Sequence, residues 1–260
     1  DFCLSRGLGD VYKRQGKTRV LTSRVVHLVR DSAAPIAPER CVVVTFTNRA
    51  SNEMRARLET MIGADRTRRL VLGTFHAVCV RFLRRWGTRL GLDPRFTIAD
   101  TDDARRLLRD VDRDVPVDAT LAAISRAKAH GWTPDELRAS AQHAPGSPAH
   151  TEHLALCRTY AAYQQQLRTS HALDFDDLLL LGVRLFREHP ELTTHIDHVL
   201  VDEFQDTNAV QYELLRRLSR HVSVVGDPDQ SIYSWRHADV RHIERMHLDF
   251  PGLHLSLIHI

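Results

Sequence analysis

The sequence predicts an α/β fold in which a parallel sheet is interrupted by an all-helical subdomain. Short apolar runs that are typical of buried strands alternate with helical patterns over residues 16–100 and again over residues 172–255. Between them, over residues 101–171, the strand signals vanish and only helical patterns remain. Because the alternation resumes afterwards, we expect the two flanking parts to form one sheet domain with the helices inserted into it.

Composition and charge are those of a globular protein and exclude several other classes. The chain has 260 residues, of which 43% are hydrophobic and 27% charged, which is ordinary for a folded domain rather than a disordered or collagen-like chain. The apolar runs are too short to span a membrane. A net charge of +3 is too small to establish a nucleic-acid partner, although most of the basic residues are arginines, which bind phosphate as a bidentate fork.

The cysteine pattern indicates reduced thiols in a cytosolic protein. No two cysteines form a CxxC pair, and residues 1–15 do not have the basic start and apolar stretch of a secretory signal. The four cysteines are Cys3, Cys41, Cys79 and Cys157.

The first part of the sheet domain contains two predicted strands among helices. Its segments are helices at residues 17–30, 48–62 and 75–89 and strands at residues 41–46 and 70–72. In the second of these helices we expect Met54, Leu58 and Met61 to share the buried face and Gly63 to end the helix.

The insertion and the second part of the sheet domain follow the same logic. The insertion has predicted helices at residues 102–111, 119–130, 134–140 and 152–168 with a loop at 144–148, and the second part has helices at 175–186 and 210–218 and strands at 198–201 and 222–225. We interpret Asp174 as the N-cap of the 175–186 helix, with Phe175 and residues 178–181 facing the core.

The tripeptide Gly16-Lys17-Thr18 opens the first helix and suggests a phosphate-binding loop. In such a loop, backbone N–H groups hold the phosphates, the lysine reaches the β- and γ-phosphates, and the threonine hydroxyl binds Mg²⁺. The tripeptide alone is a weak signal, because the full pattern also needs a glycine where Val11 stands and an apolar strand leading into the loop.

The apolar strand that ends in Asp202 and Glu203 is a stronger signal. Ligands of open parallel sheets bind at the carboxyl edge, where Asp202 would hold Mg²⁺ and Glu203 would align and deprotonate an attacking water. In isolation, a strand running into a charged turn has the same pattern. The acidic pair and the upstream GKT together fit an NTPase better than either does alone.

A polar and aromatic segment follows the last predicted strand. Gln230 stands where a loop at the sheet edge reaches a γ-phosphate, and Tyr233, Trp235 and Arg236 offer aromatic faces and a guanidinium on which bases stack. The simpler interpretation is a core tryptophan beside a capped turn.

Two shorter segments stand in the same position after the first two strands. Phe46 can stack on a base, and Thr47 and Asn48 can bond to sugar–phosphate oxygens. Thr74 and His76 follow the second strand in the same way. Helix N-capping explains the threonines and the asparagine equally well.

In chain order, the motifs GKT, TFTNRASNEM, GTFHAVC, LDFDDLL, VDEFQDTN and VGDPDQSIYSWR resemble the UvrD/Rep/PcrA family of superfamily 1A DNA helicases over residues 16–250. The resemblance implies a RecA-like P-loop NTPase domain with a helical insertion, which uses ATP and Mg²⁺ to move 3′→5′ along single-stranded DNA. It also implies a cytoplasmic protein that is associated with the nucleoid when it is on DNA. Its partners would be single-stranded DNA, junctions of single- and double-stranded DNA, and DNA-repair proteins that the sequence does not identify.

The resemblance also assigns roles to individual residues. The phosphates and Mg²⁺ would be bound by Gly16, Lys17 and Thr18, and Arg19 would lie beside the adenine. Asp202 would be the metal ligand, and Glu203 and Gln230 would be the catalytic base and the γ-phosphate sensor. The DNA track would be lined by Phe46, Thr47, Asn48, Thr74, His76, Tyr233, Trp235 and Arg236.

Both ends depart from the family pattern. Residues 1–15 lack the glutamine-bearing adenine loop, the apolar strand and the glycine-rich turn that precede GKT in the family, and residues 256–260 end the family-like sequence abruptly. We interpret them as a non-native leader and tail around a gene fragment that lacks the second motor domain. Because an arginine finger contributes about 10³–10⁵ in rate to comparable phosphoryl transfers, we expect little or no ATPase and no unwinding from this chain alone.

Two other functions remain open. A non-catalytic module that binds single-stranded DNA would suit the incomplete phosphate loop, but it would not need Asp202, Glu203 or Gln230. The motor part of a helicase–nuclease would need a nuclease domain further along the chain.

Two clusters suggest metal sites that we do not favour. One helix face carries two histidines and a cysteine at metal-like spacing but has no fourth ligand nearby. The acidic residues at the start of the 175–186 helix are better explained by its cap. These clusters are His150, His153 and Cys157, and Asp174, Asp176 and Asp177.

Overall fold

A computed structural model describes residues 16–141, 146–218, 221–227, 245–246 and 248–250. The predicted leader and tail lie outside the described residues, as do Gln230, Tyr233, Trp235 and Arg236. Among the helices of the described part, none is both long enough and apolar enough to cross a bilayer.

The described elements follow one another in the order that the sequence predicts, with a few additions. They are α1 (residues 16–26, continued by a π-helical turn, His27–Asp31), β1 (Cys41–Thr45), α2 (Asn48–Ile62), α3 (Ala64–Arg69), β2 (Val71–Thr74), α4 (Phe75–Trp86), β3 (Thr97–Ile98), α5 (Thr101–Val111), α6 (Val117–Ala129), α7 (Pro134–Ala139), α8 (Pro148–Thr169), β4 (Ala172–Leu173), α9 (Phe175–Glu188), β5 (His198–Val201), α10 (Ala209–Leu218) and β6 (Val222–Val224). Short 3₁₀ turns lie at Pro38–Arg40, Gly87–Leu90, Pro190–His195 and Phe204–Asp206.

The described residues divide into two compact units. The first contains the residues up to Val78, Phe186–Thr207 and those from Gln211 onward; the second contains Cys79–Leu185 and Asn208–Val210. The domain boundaries predicted after residues 100 and 171 do not coincide with these unit borders, and the assignment of domains stays a prediction.

The first unit is built on a four-stranded parallel sheet in the order β2-β1-β5-β6. Every residue of β1 and of β5 is buried, as expected for central strands that are covered on both faces. The predicted α/β class with a parallel sheet is therefore confirmed.

Helices α1 and α2 contribute to the core of this unit. Leu21 and Val25 of α1 lie in one buried cluster with Met54 and Leu58 of α2 and with apolar residues of the sheet. The prediction that Met61 shares this face is wrong, because its side chain is 40% exposed while Ile62 is buried. The buried positions of α2 continue at intervals of four residues, and this spacing reaches position 62 rather than 61.

The second unit packs helices α5–α8 around an apolar core. This core includes Leu108, Ile124, Cys157, Tyr160 and Tyr163. A parallel pair, β3 with β4, was not predicted, since each strand has only two residues and gives no periodic signal.

Caps explain most helix starts in this unit. Thr133 and Glu136 form a capping box at α7, and the Ser147 hydroxyl accepts from the amide of His150 at α8. The predicted loop at 144–148 is wrong at Pro148, which is the first residue of α8, where a missing N–H costs no helical hydrogen bond.

The start of α9 is partly as predicted. Asp174 Oδ1 accepts from the amide of Asp177 at 2.9 Å, which confirms the N-cap. Leu178 and Leu179 are buried, but Phe175 is 50% exposed, so the prediction that it faces the core is wrong. Phe175 follows the cap directly, and its side chain lies on the open side of the first turn.

Candidate functional site

The carboxyl edge of the sheet brings the predicted site residues together. Since the strands are parallel, the segments that follow β1, β2 and β5 all leave the sheet at one edge. Val44 pairs with Val201 and Thr45 with Thr74, and the amide of Asp202 donates to the Val44 carbonyl at 2.9 Å. The acidic pair therefore leaves the sheet beside the segment that follows β1.

The start of α1 lies against the acidic pair. Lys17 Nζ donates to Glu203 Oε2 at 2.7 Å, and the Thr18 hydroxyl donates to Asp202 Oδ2 at 3.4 Å. These contacts join residues more than 180 positions apart in the sequence. Gly16 is the first described residue and stands at the beginning of the same helix. The two signals that were weak or ambiguous alone thus lie at one place in the fold.

Two aspartates at this edge have raised pKa values. Burial, together with the negative charge of Glu203, raises the pKa of Asp202 to about 6. The same two causes raise the pKa of Asp206 to about 6, while the nearby Lys17 opposes the rise for both residues. The three carboxylates outnumber the lysine that contacts them, so the edge favours binding of a further cation.

Asp206 is a site residue that the sequence reasoning missed. Its side chain is buried, and its Oδ1 has no hydrogen-bond partner among the residues that the structure describes. A buried carboxylate oxygen without a partner is costly, and a metal-bound water or a ligand group can satisfy it. The signal in the sequence was a third acidic residue soon after the strand end.

The residues present fit Mg²⁺. Hydroxyl and carboxylate oxygens are the ligands that Mg²⁺ prefers, and Thr18 and Asp202 offer both within one contact. In the described ranges, no group of three His, Cys, Asp or Glu side chains forms a complete metal site. A site with only a few protein ligands suits Mg²⁺, because this ion usually keeps several waters and is also coordinated by phosphate oxygens.

A buried amide, also missed by the sequence reasoning, connects Glu203 to the end of β6. Gln205 Nε2 donates to Glu203 Oε2 at 2.8 Å, and Gln205 Oε1 accepts from the amide of Asp227 at 2.9 Å. Glu203 itself has a left-handed backbone with φ of 49°, which is uncommon for a residue other than glycine. The acid therefore sits in a constrained turn that several contacts stabilise.

The residues predicted to bind DNA lie at the same edge where the structure describes them. Thr47 and Asn48 are exposed at the start of α2, and Phe46, Thr74 and His76 are partly exposed. The hydroxyl of Thr47 accepts from Ala50 N, and that of Thr74 accepts from Ala77 N. Both threonines thus cap helices, as the simpler interpretation expected, and both helix N-termini lie at the sheet edge.

A groove beside α1 contains Arg19. It has a volume of about 590 Å³ and is lined by Arg19, Thr22, Ser23, Arg57, Thr60 and Met61. The Arg19 side chain is exposed, so its guanidinium is available to a planar ligand.

Residues of both clusters with metal-like spacing make contacts within the protein, although His150 Nδ1 is buried without a hydrogen-bond partner among the described residues. The Lys128 ammonium lies among the acids of α9, with Nζ 2.6 Å from Asp174 Oδ2 and 2.8 Å from Asp177 Oδ1. A cation of the protein therefore occupies the position that a metal would take. In the histidine cluster, His153 Nε2 is engaged by the carbonyl of Leu137 at 2.8 Å.

Comparisons with known proteins identify a family and several relatives. A family model described as the UvrD/REP helicase N-terminal domain matches residues 15–251. ATP-dependent DNA helicase PcrA of Leuconostoc citreum is 39% identical over 257 residues, covering 94% of this chain and 33% of the relative. The PcrA proteins of Staphylococcus epidermidis RP62A and Staphylococcus aureus Mu50 are 37% and 36% identical over 250 residues, covering 91% of this chain and 33% of each relative. The chain thus spans about a third of the length of the curated relatives it matches.

Proposed function

Because the chain belongs to the UvrD/REP helicase N-terminal domain family, we propose that it is the ATP-binding part of an ATP-dependent DNA helicase motor. The contact between Lys17 Nζ and Glu203 Oε2 at 2.7 Å carries the proposal. It brings an ammonium and a carboxylate together at the edge of a parallel sheet, which supports the roles of Lys17 in binding phosphate and of Glu203 as a general base in phosphoryl transfer.

The nucleotide is held by the start of α1. The amides at Gly16, Lys17 and Thr18 donate to the phosphates, and the Lys17 ammonium exchanges its Glu203 contact for a phosphate oxygen. Arg19 and the groove beside it receive the base. Release from Lys17 frees the Glu203 carboxylate to accept a proton from the attacking water.

Thr18 and Asp202 hold the Mg²⁺ ion of the nucleotide. An ion held by these two residues would supply positive charge to the phosphates of the nucleotide. The raised pKa of Asp202 supports this role, since a carboxylate destabilised by burial and by Glu203 gains most from a nearby cation. We assign Gln230, which lies outside the described residues, the role of γ-phosphate sensor.

The DNA substrate is single-stranded, at its junction with a duplex, and the motor moves 3′→5′. The position of five residues at the carboxyl edge supports DNA binding beside the nucleotide site, while the polarity and the junction follow from the family resemblance alone: these residues are Phe46, Thr47, Asn48, Thr74 and His76. Tyr233, Trp235 and Arg236 complete the track by stacking on bases. The protein acts in the cytoplasm on nucleoid DNA, together with DNA-repair proteins.

A purely DNA-binding module is the weaker proposal. Such a module gains nothing from burying Asp202 and Asp206 beside Glu203, an arrangement that raises the pKa of both aspartates. We also propose that these 260 residues alone hydrolyse ATP slowly, since they span about a third of the length of the curated relatives they match.

Equilibrium binding of a fluorescent ATP analogue with Mg²⁺ tests the nucleotide site. Lys17→Met removes the ammonium while keeping the length of the side chain, and we expect the Kd to rise about 10- to 100-fold, as for loss of a charged hydrogen bond. Arg66→Met, at an exposed position of α3, removes the same charge elsewhere in the unit and should leave the Kd unchanged. Equal affinity for the chain and the Lys17→Met variant would refute the site.

Steady-state hydrolysis with and without single-stranded DNA tests the turnover. Glu203→Gln keeps the shape of the side chain but removes its charge, and its hydrolysis rate serves as the background. We expect the hydrolysis rate of the unmodified chain to be close to that of this variant. DNA-stimulated hydrolysis that Glu203→Gln and Lys17→Ala both abolish would show that the motor function is right and the slow turnover wrong.

A further inference from the structure

We propose that Gln205 is a positioning residue, which fixes the Glu203 carboxylate and transmits its position to the backbone at Asp227. The inference deepens the proposed function and rests on it for its meaning, since Glu203 is there the general base. Its geometry is independent of any nucleotide.

The Gln205 side chain is only 2% exposed and uses both ends of its amide. Nε2 donates to Glu203 Oε2 at 2.8 Å, and Oε1 accepts from the Asp227 amide at 2.9 Å. The same oxygen of Glu203 accepts from Lys17 Nζ at 2.7 Å. One carboxylate oxygen is therefore held from two directions, by a phosphate-binding residue and by a link to the end of β6.

Only a primary amide of this length makes both contacts. Glutamate would present a second carboxylate to Glu203 and has no donor when ionised, and asparagine is shorter by one carbon. Methionine has nearly the same volume and length but no comparable donor or acceptor. These differences allow hydrogen bonding to be separated from packing.

The backbone around the link leaves little room for independent movement. The amide of Phe204 donates to the Val225 carbonyl at 3.0 Å. A Cβ atom at Gly226 would come within 2.7 Å of Gln205 Oε1 and 3.3 Å of the Phe204 nitrogen. The turn at Phe204–Asp206 and the chain leaving β6 therefore pack in direct contact, and a shift of one requires a shift of the other.

The contact at Asp227 lies just before the residues assigned to the γ-phosphate and to DNA. Gln230 follows Asp227 by three positions, and Tyr233, Trp235 and Arg236 come next. When Lys17 leaves Glu203 for a phosphate, the Glu203 carboxylate keeps its contact with Gln205. Gln205 thus connects the state of the nucleotide site to the start of the segment assigned to DNA.

Amide hydrogen exchange at Asp227, measured by NMR on the whole chain without nucleotide, tests the inference. In Gln205→Met we expect exchange at Asp227 to accelerate about 3- to 10-fold, as for loss of one neutral hydrogen bond. Gln211→Met replaces another buried glutamine of the same unit and should leave Asp227 unchanged.

A double-mutant cycle separates transmission from local packing. Glu203→Gln, which removes the charged acceptor, should accelerate exchange at Asp227 about threefold when Gln205 is present and have no effect in Gln205→Met. The exchanged pair Glu203→Gln/Gln205→Glu reverses the donor and the acceptor, and should return Asp227 to within about twofold of the parent chain.

Additive effects of the two substitutions, or unchanged exchange at Asp227 in a folded Gln205→Met chain, would overturn the inference. If Gln205→Met does not fold, the exchanged pair decides, since it keeps the volume and both hydrogen bonds. Binding of the ATP analogue is measured separately. Loss of nucleotide binding would contradict the proposed function without changing the exchange result, and an unchanged exchange rate would contradict the role of Gln205 without changing the binding result.

Discussion

Replacement of Lys128 by methionine should strongly destabilise the helical unit. Its side chain is fully buried, and Nζ lies 2.6 Å from Asp174 Oδ2, 2.8 Å from Asp177 Oδ1 and 3.0 Å from Gln164 Oε1. The carboxylates raise the pKa of Lys128 above its usual value despite the opposing effect of burial. Methionine fills most of the volume but leaves the buried carboxylate of Asp177 and the partly buried one of Asp174 without their cation.

The magnitude follows from the cost of breaking a buried ion pair. Removing one partner costs about 3–5 kcal/mol because the remaining charge is buried and uncompensated. Burial already raises the pKa of Asp177, with Lys128 opposing the rise, so the variant should raise it further. A carboxyl group with a raised folded-state pKa is tolerated below that pKa and destabilises above it, so the loss should be largest near pH 8 and smaller near pH 5.

Urea denaturation followed by circular dichroism at these two pH values is the assay. Arg109→Met on α5, at an exposed position of the same unit, is the matched control and should change the free energy of unfolding by less than about 0.5 kcal/mol. If Lys128→Met stayed within about 1 kcal/mol of the parent at pH 8, the buried pair would contribute far less than the geometry indicates.

Three further outcomes are expected. Burial and the charge of Asp174 raise the pKa of Asp176 to about 6. Asp176→Asn should therefore stabilise the protein by about 1–3 kcal/mol at pH 8 and have no effect near pH 3, as measured by urea denaturation. Mg²⁺ should raise the thermal midpoint more at pH 8 than at pH 5, because Asp202 and Asp206, with pKa values of about 6, are ionised only at the higher pH; an equal rise at both would contradict their role. Gly226→Ala should cost about 1–3 kcal/mol in urea denaturation, because its Cβ would meet Gln205 Oε1 at 2.7 Å, and an unchanged midpoint would show that the turn adapts freely.

The regular parts of the fold could be predicted because their signals are local. The span of α2 and that of β5 match the structure residue for residue, since a glycine ends the first and a continuous buried run defines the second. Met61 and Phe175 were placed wrongly, because the pattern shows where an apolar stripe runs but not where it stops. The strands β3 and β4 are too short to have a pattern.

Only the site residues that stand in recognisable sequence motifs could be predicted. Lys17, Thr18, Asp202 and Glu203 stand in motifs whose chemistry limits their roles, and the structure brings them together. Gln205 could not be identified, because its role depends on the amide of Asp227 just beyond β6, which lies 22 positions away.

The residues within the acidic clusters needed the fold as well. Burial decides the roles of Asp206 and Lys128, and neither burial nor the partner across the helices is visible in the sequence. The cap formed by Asp174 could be predicted, but the ammonium between Asp174 and Asp177 could not.

If nucleotide and DNA bind at the same sheet edge, as proposed, each should change the affinity for the other, and a linkage measurement tests this. The Kd of the fluorescent ATP analogue with Mg²⁺ is determined with and without a saturating single-stranded oligonucleotide. We expect the oligonucleotide to change the Kd of the ATP analogue about fivefold or more, and the nucleotide to change the Kd for DNA by the same factor. We also expect that Lys17→Met weakens nucleotide binding while DNA binding without nucleotide is retained. The same nucleotide affinity in both conditions would contradict the proposal, since two sites on one sheet edge would then be independent.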